Sequence, residues 1–395
     1  MKVRAIDQLD LSGKRVLIRV DFNVPLDKAG TITDDTRIQA AIPTIRHAMT
    51  HGAKTILLSH LGRPKGKKVP EMSLAPAAKR LSALLGKEVP FLPDCVGEDV
   101  EKAVAAMRPG DVVLLENVRF HAGEEKNDES FGKQLAALCD VYVNDAFATA
   151  HRGHSSNVAI TRFVKEKAAG LLMKNEIAYF EKALVDPARP LVAVFGGAKI
   201  SGKIEAINNV LGKVDKILIG GAMANTFFAA QGYEVGKSLH EAEMLDTARK
   251  VLSNAASRKV KLYLPVDVVV ADRFEASAAT KVVPVPEIPA GWMAADVGPA
   301  TSLLFREALQ GAKTIVWNGP LGAFEMGPFA NGTFSMMRAL AESDAITIVG
   351  GGDTDTALHT AGLFSRMSYV STGGGAFLEL LEGKRLPGIA ALEEP

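Results

Sequence analysis

Short apolar runs recur along the 395-residue chain, each followed by a polar or glycine-rich turn and then by apolar residues at helical spacing. Strands that alternate with helices in this way predict parallel sheets covered by helices on both faces. Several runs are apolar almost throughout, which is typical of strands buried on both sides. The predicted strands are Arg15–Val20, Thr55–Ser59, Asp111–Leu115 and Val141–Val143 in the first half, and Leu191–Phe195, Lys216–Ile219, Lys261–Val270, Thr314–Trp317, Ile346–Val349 and Ser368–Val370 in the second.

The segment 168–190 separates the two halves and is predicted to be a linker. It contains a helical face and ends at Pro187 and Pro190, since proline stops helices. The pattern therefore predicts an α/β chain of two doubly wound, Rossmann-like domains, separated by a cleft and joined by a hinge helix. The predicted domains are residues 1–172 and 191–385, with the hinge in 173–190. The helical face consists of Leu171, Leu172, Ile177, Phe180 and Leu184.

A glycine turn follows the first strand of the second half, and apolar residues at helical spacing follow the turn. Lys199 and Lys203 lie where strand becomes helix, so backbone N–H and ammonium groups there predict a phosphate site. Gly197 and Lys203 fit the pattern G-x-x-x-x-G-K, but Ile204 replaces the hydroxyl residue that would hold Mg²⁺. An ordinary turn with two solvated lysines is the alternative. The predicted helix face is Ile200, Ile204, Ile207 and Leu211.

Basic side chains follow the predicted strands of the first half. Ligands of open α/β sheets bind at the carboxyl ends of the strands, so these side chains should share one rim. A single arginine is more often part of a surface ion pair, but four after four strands predict a site for a small polyanion. The rim comprises Arg37, Arg63, Arg119, Arg152, His60, His151 and His154, with Asp21 and Asn23.

Glycine turns follow the strands of the second half. Glycine lets the backbone approach a ligand, and consecutive N–H groups can form an anion nest. One turn opens a predicted helix, whose positive end suits a phosphate, and its Asp353 could hold Mg²⁺. Simple tight turns are the alternative, and NAD sites also use such turns, but no G-x-G-x-x-G fingerprint is present. The turns are Gly220-Gly221, Asn318-Gly319-Pro320, Gly350–Thr354 and Gly373–Gly375.

Composition narrows the function classes. The formal net charge of +1 argues against a dedicated nucleic-acid-binding protein. Cys95 and Cys139 are far apart, which predicts neither a disulfide framework nor a zinc site and fits a reducing compartment. The N-terminus lacks an apolar signal core, and no apolar run is long enough to span a membrane. We therefore expect a cytoplasmic protein with no membrane partner.

At these residues the chain resembles the phosphoglycerate kinase family, nearly from end to end. The ordered motifs that carry the resemblance are Arg19–Pro25 (RVDFNVP), Ser59–Pro64 (SHLGRP), Glu116–Phe120 (ENVRF), Asn144–Ala148 (NDAFA), His151–Ser156 (HRGHSS), Gly196–Lys203 (GGAKISGK), Trp317–Glu325 (WNGPLGAFE), Gly350–Thr354 (GGGDT) and Ser371–Ala376 (STGGGA).

The resemblance implies a glycolytic, monomeric kinase that transfers a phosphoryl group reversibly between 1,3-bisphosphoglycerate and ADP, with Mg²⁺ as cofactor. It implies that residues 386–395 return to the first domain. The implied 3-phosphoglycerate site in the first domain is Asp21, Asn23, Arg37, His60, Arg63, Arg119 and Arg152. The implied ATP/ADP site is Gly197, Lys203, Gly221, Asn318, Pro320, Glu325, Gly351, Gly352, Asp353 and Thr354, with Asp353 as the metal ligand. The groups expected to act in catalysis are Arg37, Lys199, Lys203, Gly373, Gly374 and Gly375.

Two positions depart from the family pattern. The family usually has aspartate where Gly202 stands, and its usual WMGLD reads WMAAD in Trp292–Asp296, with Ala294 in place of glycine.

The acceptor that the resemblance implies is a carboxylate, already ionised at pH 7, so no general base is expected. Substrates held in different domains predict hinge closure. A two-domain NAD-dependent dehydrogenase and a non-catalytic binding protein are the alternatives.

Overall fold

The computed structural model describes residues 2–393, which divide into two compact units. The first unit contains the residues up to Ala178 together with those from Arg385 onward, and the second is Tyr179–Lys384. The division therefore falls inside the segment 173–190 that the sequence assigns to the hinge. Residues 1, 394 and 395, which the prediction assigns to the first domain, lie outside the described residues.

The first unit contains a six-stranded parallel sheet with the strand order β3-β4-β2-β1-β5-β6. Its core is apolar and lies between the sheet and the helices. Helix α2 shows how sequence fixes an end, because Gly86 follows it with a φ of 67°, a left-handed conformation that glycine adopts readily. The strands are β1 Arg15–Arg19, β2 Lys54–Leu58, β3 Phe91–Leu92, β4 Val112–Leu115, β5 Val141–Asn144 and β6 Glu166–Ala169. The helices are α1 Thr36–Thr50, α2 Ala75–Leu85, α3 Glu98–Ala105, α4 Glu129–Ala136, α5 Leu171–Leu184, which continues into the second unit, and α13 Pro387–Ala390.

The second unit contains a six-stranded parallel sheet, with the order β15-β14-β13-β7-β8-β9, and a separate three-stranded antiparallel sheet, with the order β11-β10-β12. The strands of the parallel sheet are β7 Leu191–Phe195, β8 Lys216–Ile219, β9 Lys261–Tyr263, β13 Thr314–Asn318, β14 Ile346–Gly350 and β15 Tyr369–Val370. Those of the small sheet are β10 Asp267–Ala271, β11 Thr280–Pro284 and β12 Met293–Val297. The helices are α6 Ile204–Val210, α7 Met223–Ala230, α8 Leu245–Ser257, α9 Pro299–Leu309, α10 Asn331–Ala341, α11 Gly352–Thr360 and α12 Gly374–Leu381.

The predicted architecture of two parallel α/β sheets is confirmed, and three local predictions are wrong. The run 261–270 is not one strand, because it is interrupted around Pro265 and continues as β10 in the small sheet. Strand β6 occupies the first residues of the segment assigned to the linker. Helix α6 begins at Ile204 rather than at Ile200, since residues 201–203 form a turn. In this turn the Lys203 N–H donates to the Ile200 carbonyl oxygen at 2.8 Å.

The C-terminal segment packs in the first unit. The Gly388 N–H donates to the Ala150 carbonyl oxygen at 2.8 Å, and the side chains of Leu386, Ile389 and Leu392 are buried. Burial of three apolar side chains gives this short segment a fixed place, although α13 has only four residues. Among the described helices, none combines the length and apolar character needed to cross a membrane.

Candidate active site

Charged side chains converge around His60 at the carboxyl ends of the strands of the first unit. His60 itself follows β2 and is buried. Burial, and then the guanidinium charges of Arg19, Arg119, Arg37 and Arg152, hold its pKa well below its ordinary value. The imidazole is therefore neutral at pH 7. Four cations close enough to influence one ring form a strongly positive site, with the rim arginines Arg37, Arg119 and Arg152 brought together.

Asp21 and Asn23 hold this site in shape. The Asp21 carboxylate accepts a hydrogen bond from Nη1 of Arg37, and its Oδ1 lies 3.8 Å from Nδ1 of His60. The side-chain oxygen of Asn23 accepts from the Gly62 N–H at 2.9 Å. Asp21 thus orients Arg37, whose side chain remains partly exposed, and Asn23 fixes the loop that follows β2.

Arg119 is buried and keeps unused donors. Its Nη1 donates to the Gly62 carbonyl oxygen at 2.7 Å, and its Nε lies 3.7 Å from Oε1 of Glu125. Its buried Nε and Nη2 have no hydrogen-bond partner among the described residues. Burial, with the charges of Arg19 and Arg152, lowers the pKa of Arg119 to about 10, so it stays charged at pH 7. An unsatisfied buried donor costs about 1–3 kcal/mol, and more when charged, so these donors suit an anion.

Arg19 is a further member of the cluster, and the pattern of strands alone did not identify it as a site residue. It is fully buried on β1, with Nη2 3.1 Å from Nδ1 of His60 and Nε donating to the Ser156 hydroxyl at 3.0 Å. That hydroxyl donates to Glu124 at 2.6 Å. Burial would raise the pKa of Glu124, but His154, Arg19 and Ser156 together hold it below its ordinary value. The position of Arg19 inside the motif RVDFNVP was the available signal.

Three residues of the predicted rim have other surroundings. Arg63 is exposed and makes no hydrogen bond or ion pair with another described residue. His151 lies 3.3 Å from Nε of Arg152, and burial, Arg152 and His154 lower its pKa. His154 faces the buried Glu124, with Nδ1 3.7 Å from Oε1. The two histidines therefore support the arginine cluster. Because its pKa is lowered, His151 adds no positive charge at pH 7.

In the second unit, Lys203 is a half-buried cation of the predicted nucleotide site. Its Nζ donates to the backbone oxygen of Asn318 at 3.0 Å and to the side-chain oxygen of the same residue. Burial lowers the pKa of Lys203 to about 8, against the opposing charge of Asp353. The Gly319 N–H donates to the Thr354 hydroxyl at 3.0 Å. The structure thus brings Lys203, Asn318, Asp353 and Thr354 together after β7, β13 and β14.

Glycine is required where three of these turns touch. A Cβ on Gly196 would overlap the carbonyl oxygens of Gly319 and Pro320. A Cβ on Gly221 would lie 2.6 Å from the backbone nitrogen of Gly197, and the φ of Gly221 is 69°. No other residue type fits such close backbone contacts. The turns therefore present backbone N–H groups at short range in place of side chains.

Two helix N-termini lie side by side next to Lys203. Helix α11 follows Gly351, which has a φ of 109°, and helix α12 follows Gly373. A Cβ on Gly374 would lie 3.0 Å from the Cα of Gly351, so the backbones of the two first turns are in contact. Helix N-termini present unpaired N–H groups and partial positive charge. Gly351–Thr354 and Gly373–Gly375 therefore form one surface whose backbone N–H groups suit an anion.

A cavity of about 240 Å³ adjoins this surface. Among the predicted nucleotide residues, Gly197, Gly221, Pro320, Glu325 and Asp353 line it. Its apolar walls were predicted only in part. Leu239 and Phe274 come from positions outside the motifs, whereas Met293 and Ala294 belong to WMAAD and Ala323 to WNGPLGAFE. A concave apolar space with a few polar groups is typical of a small-molecule site.

Lys199 and Asp353 are both exposed but have different surroundings. Asp353 stands in the first turn of α11 and makes no hydrogen bond to another described residue, so its oxygens suit a cation such as Mg²⁺. Lys199 lies near Glu241, whose carboxylate accepts from the Ser201 N–H at 3.0 Å. No hydrogen bond or ion pair joins Lys199 to Lys203 or Asp353 among the described residues.

Comparisons with known proteins agree on one family. The sequence profile of phosphoglycerate kinase matches residues 6–384. The chain is 62% identical to a phosphoglycerate kinase of Citrifermentans bemidjiense over 395 residues, which is 100% of this chain and 99% of that protein. For the phosphoglycerate kinase of Geobacter metallireducens the identity is 61%, with the same coverage.

Solved structures give the same result. A phosphoglycerate kinase structure from Coxiella burnetii superposes with a TM-score of 0.92 at 46% identity, covering 99% of both chains. One from Pyrococcus horikoshii gives 0.82 at 31% identity, covering 98% of both. These matches do not support the alternative of a two-domain NAD-dependent dehydrogenase.

Proposed function

The chain belongs to the phosphoglycerate kinase family, and from this premise we propose that its two units divide the reaction between acceptor and nucleotide. The first unit holds 3-phosphoglycerate or 1,3-bisphosphoglycerate, and the second holds ATP or ADP. The observation that carries the acceptor assignment is the pair of unsatisfied Arg119 donors within a buried cluster of cations. The phosphoryl group passes reversibly between the two substrates, as a step of glycolysis.

The acceptor site needs cations and no general base. A carboxylate acceptor has a pKa near ~4 and is already ionised at pH 7. His60 is neutral there, which suits a residue that positions the substrate by hydrogen bonding. We assign the phosphate and carboxylate of 3-phosphoglycerate to the rim. Bidentate hydrogen bonds from the arginines would set the orientation of the substrate. The residues assigned to this site are Asp21, Asn23, Arg37, His60, Arg63, Arg119 and Arg152.

The nucleotide site combines an apolar cavity with a phosphate surface. The base occupies the cavity of about 240 Å³, and the exposed Glu325 accepts hydrogen bonds from the ribose hydroxyls. The phosphates lie on Lys203 and on the N-termini of α11 and α12, where backbone N–H groups are unpaired. Because burial lowers the pKa of Lys203 to about 8, a bound phosphate stabilises its charged form.

Asp353 is the proposed ligand of Mg²⁺. This ion commonly takes one or two carboxylates together with substrate phosphates and water, and the exposed carboxylate of Asp353 beside the phosphate surface fits that donor set. When bound, Mg²⁺ neutralises phosphate charge and orients the phosphates.

Transfer depends on alignment and on neutralising the charge of the moving group. We assign Arg37 and Lys199 to the transferring phosphoryl group, assisted by Lys203 and the backbone N–H groups of Gly373–Gly375. Lys199 is exposed and lies near Glu241, and its flexible side chain exchanges that carboxylate for the phosphoryl group when substrates bind.

We propose that the units close on each other for the reaction. The two substrates belong to different units, and direct transfer requires their reacting atoms within about 3–3.5 Å. The hinge is placed in residues 173–190, which include the point within α5 where the two units divide. Closure also excludes water from the acyl phosphate. A monomeric state and a cytoplasmic location complete the proposal.

The decisive experiment measures ADP-dependent formation of ATP from 1,3-bisphosphoglycerate in the presence of Mg²⁺. The native protein should turn over, while Arg37→Ala should lower kcat by at least about 100-fold. Arg46→Ala, on the same helix α1 and outside the rim, is the matched control and should keep native activity. A native protein without turnover would contradict the proposed function.

Two further measurements test the finer assignments. Undiminished activity of Lys199→Ala would remove that residue from the mechanism and leave the kinase assignment standing. Small-angle X-ray scattering should show a smaller radius of gyration with both substrates present than with either one alone. An unchanged radius would contradict hinge closure.

A further inference from the structure

Asp94, Cys95 and His121 form a cluster of metal-ligating side chains outside the proposed active site. Asp94 and Cys95 follow β3, and His121 follows the short turn after β4, the neighbouring strand of the sheet. Nε2 of His121 lies 2.7 Å from Oδ1 of Asp94. One ligand atom from each of the three residues lies within 4.8 Å of the other two.

We propose that Asp94, Cys95 and His121 bind a divalent transition-metal ion of the zinc class. Zinc takes Cys sulfur at about 2.3 Å and His nitrogen or carboxylate oxygen at about 2.0–2.2 Å, usually with tetrahedral geometry. In such a site the ligand atoms lie roughly 3.3–3.8 Å apart, as those bond lengths require. To reach these distances, Oδ1 of Asp94 and Nε2 of His121 must separate from their 2.7 Å contact, and the sulfur must move toward them.

The surroundings favour a cation. Cys95 is buried, and the Asp94 carboxylate beside it accepts from the Cys95 N–H at 2.7 Å. The negative charge of this carboxylate attracts a divalent ion. When the metal binds, the sulfur–hydrogen bond is replaced by a sulfur–metal bond, and the proton leaves to solvent.

The exposure of the ligands gives the ion a way in and an open coordination position. The Cys95 thiol lies at the buried side, while the side chains of His121 and Asp94 are 31% and 49% exposed. Three protein ligands with one side open to water is the arrangement of zinc sites that keep an exchangeable fourth ligand. The ring of His121 is stacked on Phe131, with centroids 5.0 Å apart, which limits its rotation.

This site is chemically distinct from that of Mg²⁺. A sulfur ligand selects borderline and soft metals such as Zn²⁺ and Co²⁺, whereas Mg²⁺ prefers oxygen alone. The proposal revises the expectation of no zinc site, which rested on the separation of the two cysteines. The fold supplies one cysteine and takes the other two ligands from a different residue class, so cysteine spacing carries no signal of it.

Titration of the chelator-treated full-length protein with Co²⁺ tests the proposal. Native protein should bind one ion with a thiolate-to-cobalt charge-transfer band in the near ultraviolet. Cys139→Ser, which removes the other buried cysteine, should keep the band, and Cys95→Ser should lose it. A band that persists in Cys95→Ser, or is missing from the native protein, would overturn the proposal.

A second variant covers the case in which Cys95→Ser does not fold. His121→Gln changes a partly exposed side chain and should weaken Co²⁺ binding by at least about tenfold. His47 on α1 and His51 just after it form a stacked pair that could hold an ion without any sulfur, so His51→Gln is the control and should leave the band unchanged. Equal affinity of His121→Gln and the native protein would contradict the site.

Thermal unfolding gives a readout that does not depend on the spectrum. An ion that binds only the folded state raises Tm as its free concentration increases. Zn²⁺ should therefore raise the Tm of the native protein and of Cys139→Ser, and at the same free Zn²⁺ concentration raise that of His121→Gln less. Identical shifts in all three proteins would place the bound ion elsewhere.

Discussion

The two proposed half-sites, the arginine cluster of the first unit and the nucleotide site of the second, would bind anions by different physical means. In the first unit, side chains supply the positive charge: Arg19, Arg37, Arg119 and Arg152 surround the neutral His60. In the second unit, backbone N–H groups would supply most of it: glycine turns and the N-termini of two helices lie beside the half-buried Lys203. Both arrangements lie at the carboxyl ends of parallel strands.

The difference shows what each kind of site requires. Clustered arginines repel one another, so they need buried partners such as Glu124 to hold them in place. A backbone site carries little net charge but tolerates no side chain where its turns meet. We therefore expect the first half-site to be broken by removing a buried partner and the second by adding a single methyl group.

The largest effect should follow Arg19→Met. This change leaves the buried Glu124 carboxylate without its guanidinium neighbour and should lower the free energy of unfolding by about 3–5 kcal/mol. Denaturant unfolding followed by far-UV circular dichroism measures it. Arg15→Met is the control, since Arg15 lies on the same strand β1 as Arg19. Its ion pair with Asp140 is exposed and is worth about 0–1 kcal/mol. Equal losses would show that the buried network has no special role.

Gly196→Ala should break the second half-site. The methyl group would overlap the carbonyl oxygens of Gly319 and Pro320, which should destabilise the unit by about 1–3 kcal/mol and strongly weaken ADP binding. Calorimetric titration and the fluorescence of Trp317, buried on β13, report the two effects. Gly202→Ala is the matched control, because the nearest atom to its Cβ would be 4.0 Å away. Native behaviour of Gly196→Ala would refute the close backbone contact.

The pH dependence of ADP affinity should separate the two kinds of cation. Lys203 has a pKa of about 8, below its ordinary 10.5, so the free protein loses this charge as pH rises through 8. ADP binds the protonated form, and affinity should fall by about tenfold between pH 7 and pH 9. For the same reason the free fold gains stability as pH rises from 8 toward 10.5. Lys203→Gln should bind weakly with no such decline; a native-like decline in it would exclude Lys203 as the cause.

The smallest effect should follow Arg63→Gln in the first half-site. Its exposed guanidinium has no hydrogen-bond or ion-pair partner within residues 2–393, so its removal should weaken 3-phosphoglycerate binding by about two- to fivefold. The loss should shrink in high salt, because exposed charges are screened. Calorimetric titration at two salt concentrations measures both, with Arg46→Gln as the control. A loss that is independent of salt would indicate direct, shielded contact with the substrate.

The sequence predicted the fold wherever the hydrophobic pattern was strong. Strands such as β1, β2 and β13 are buried on both faces, so their continuous apolar runs were visible. Strand β3 has only two residues, and β11 is largely exposed, so neither produces such a run. The pattern of hydrophobic residues in a sequence cannot reveal strands that are short or that lie at the surface.

The candidate site was predictable as a set of residues but not as a network. Position after a strand was enough to bring Arg37 and Arg119 into one cluster, because parallel strands end at one edge. The role of Arg19 depends on Ser156 and Glu124, which come from distant parts of the sequence. Lys199 matched a motif, yet its neighbour in the structure is Glu241. Contacts between distant segments are set by tertiary packing, which spacing does not encode.

The place of the C-terminal segment bears on how the chain folds during synthesis. Residues 385–393 pack in the first unit, where Leu386, Ile389 and Leu392 are buried. On the ribosome, domains generally fold as they emerge, N-terminal ones first. Here the unit whose translation starts first receives its last buried side chains only after all of Tyr179–Lys384 has been made. The nascent first unit therefore lacks these three side chains for the whole of that interval, and ribosome stalling before residue 385 would prolong it.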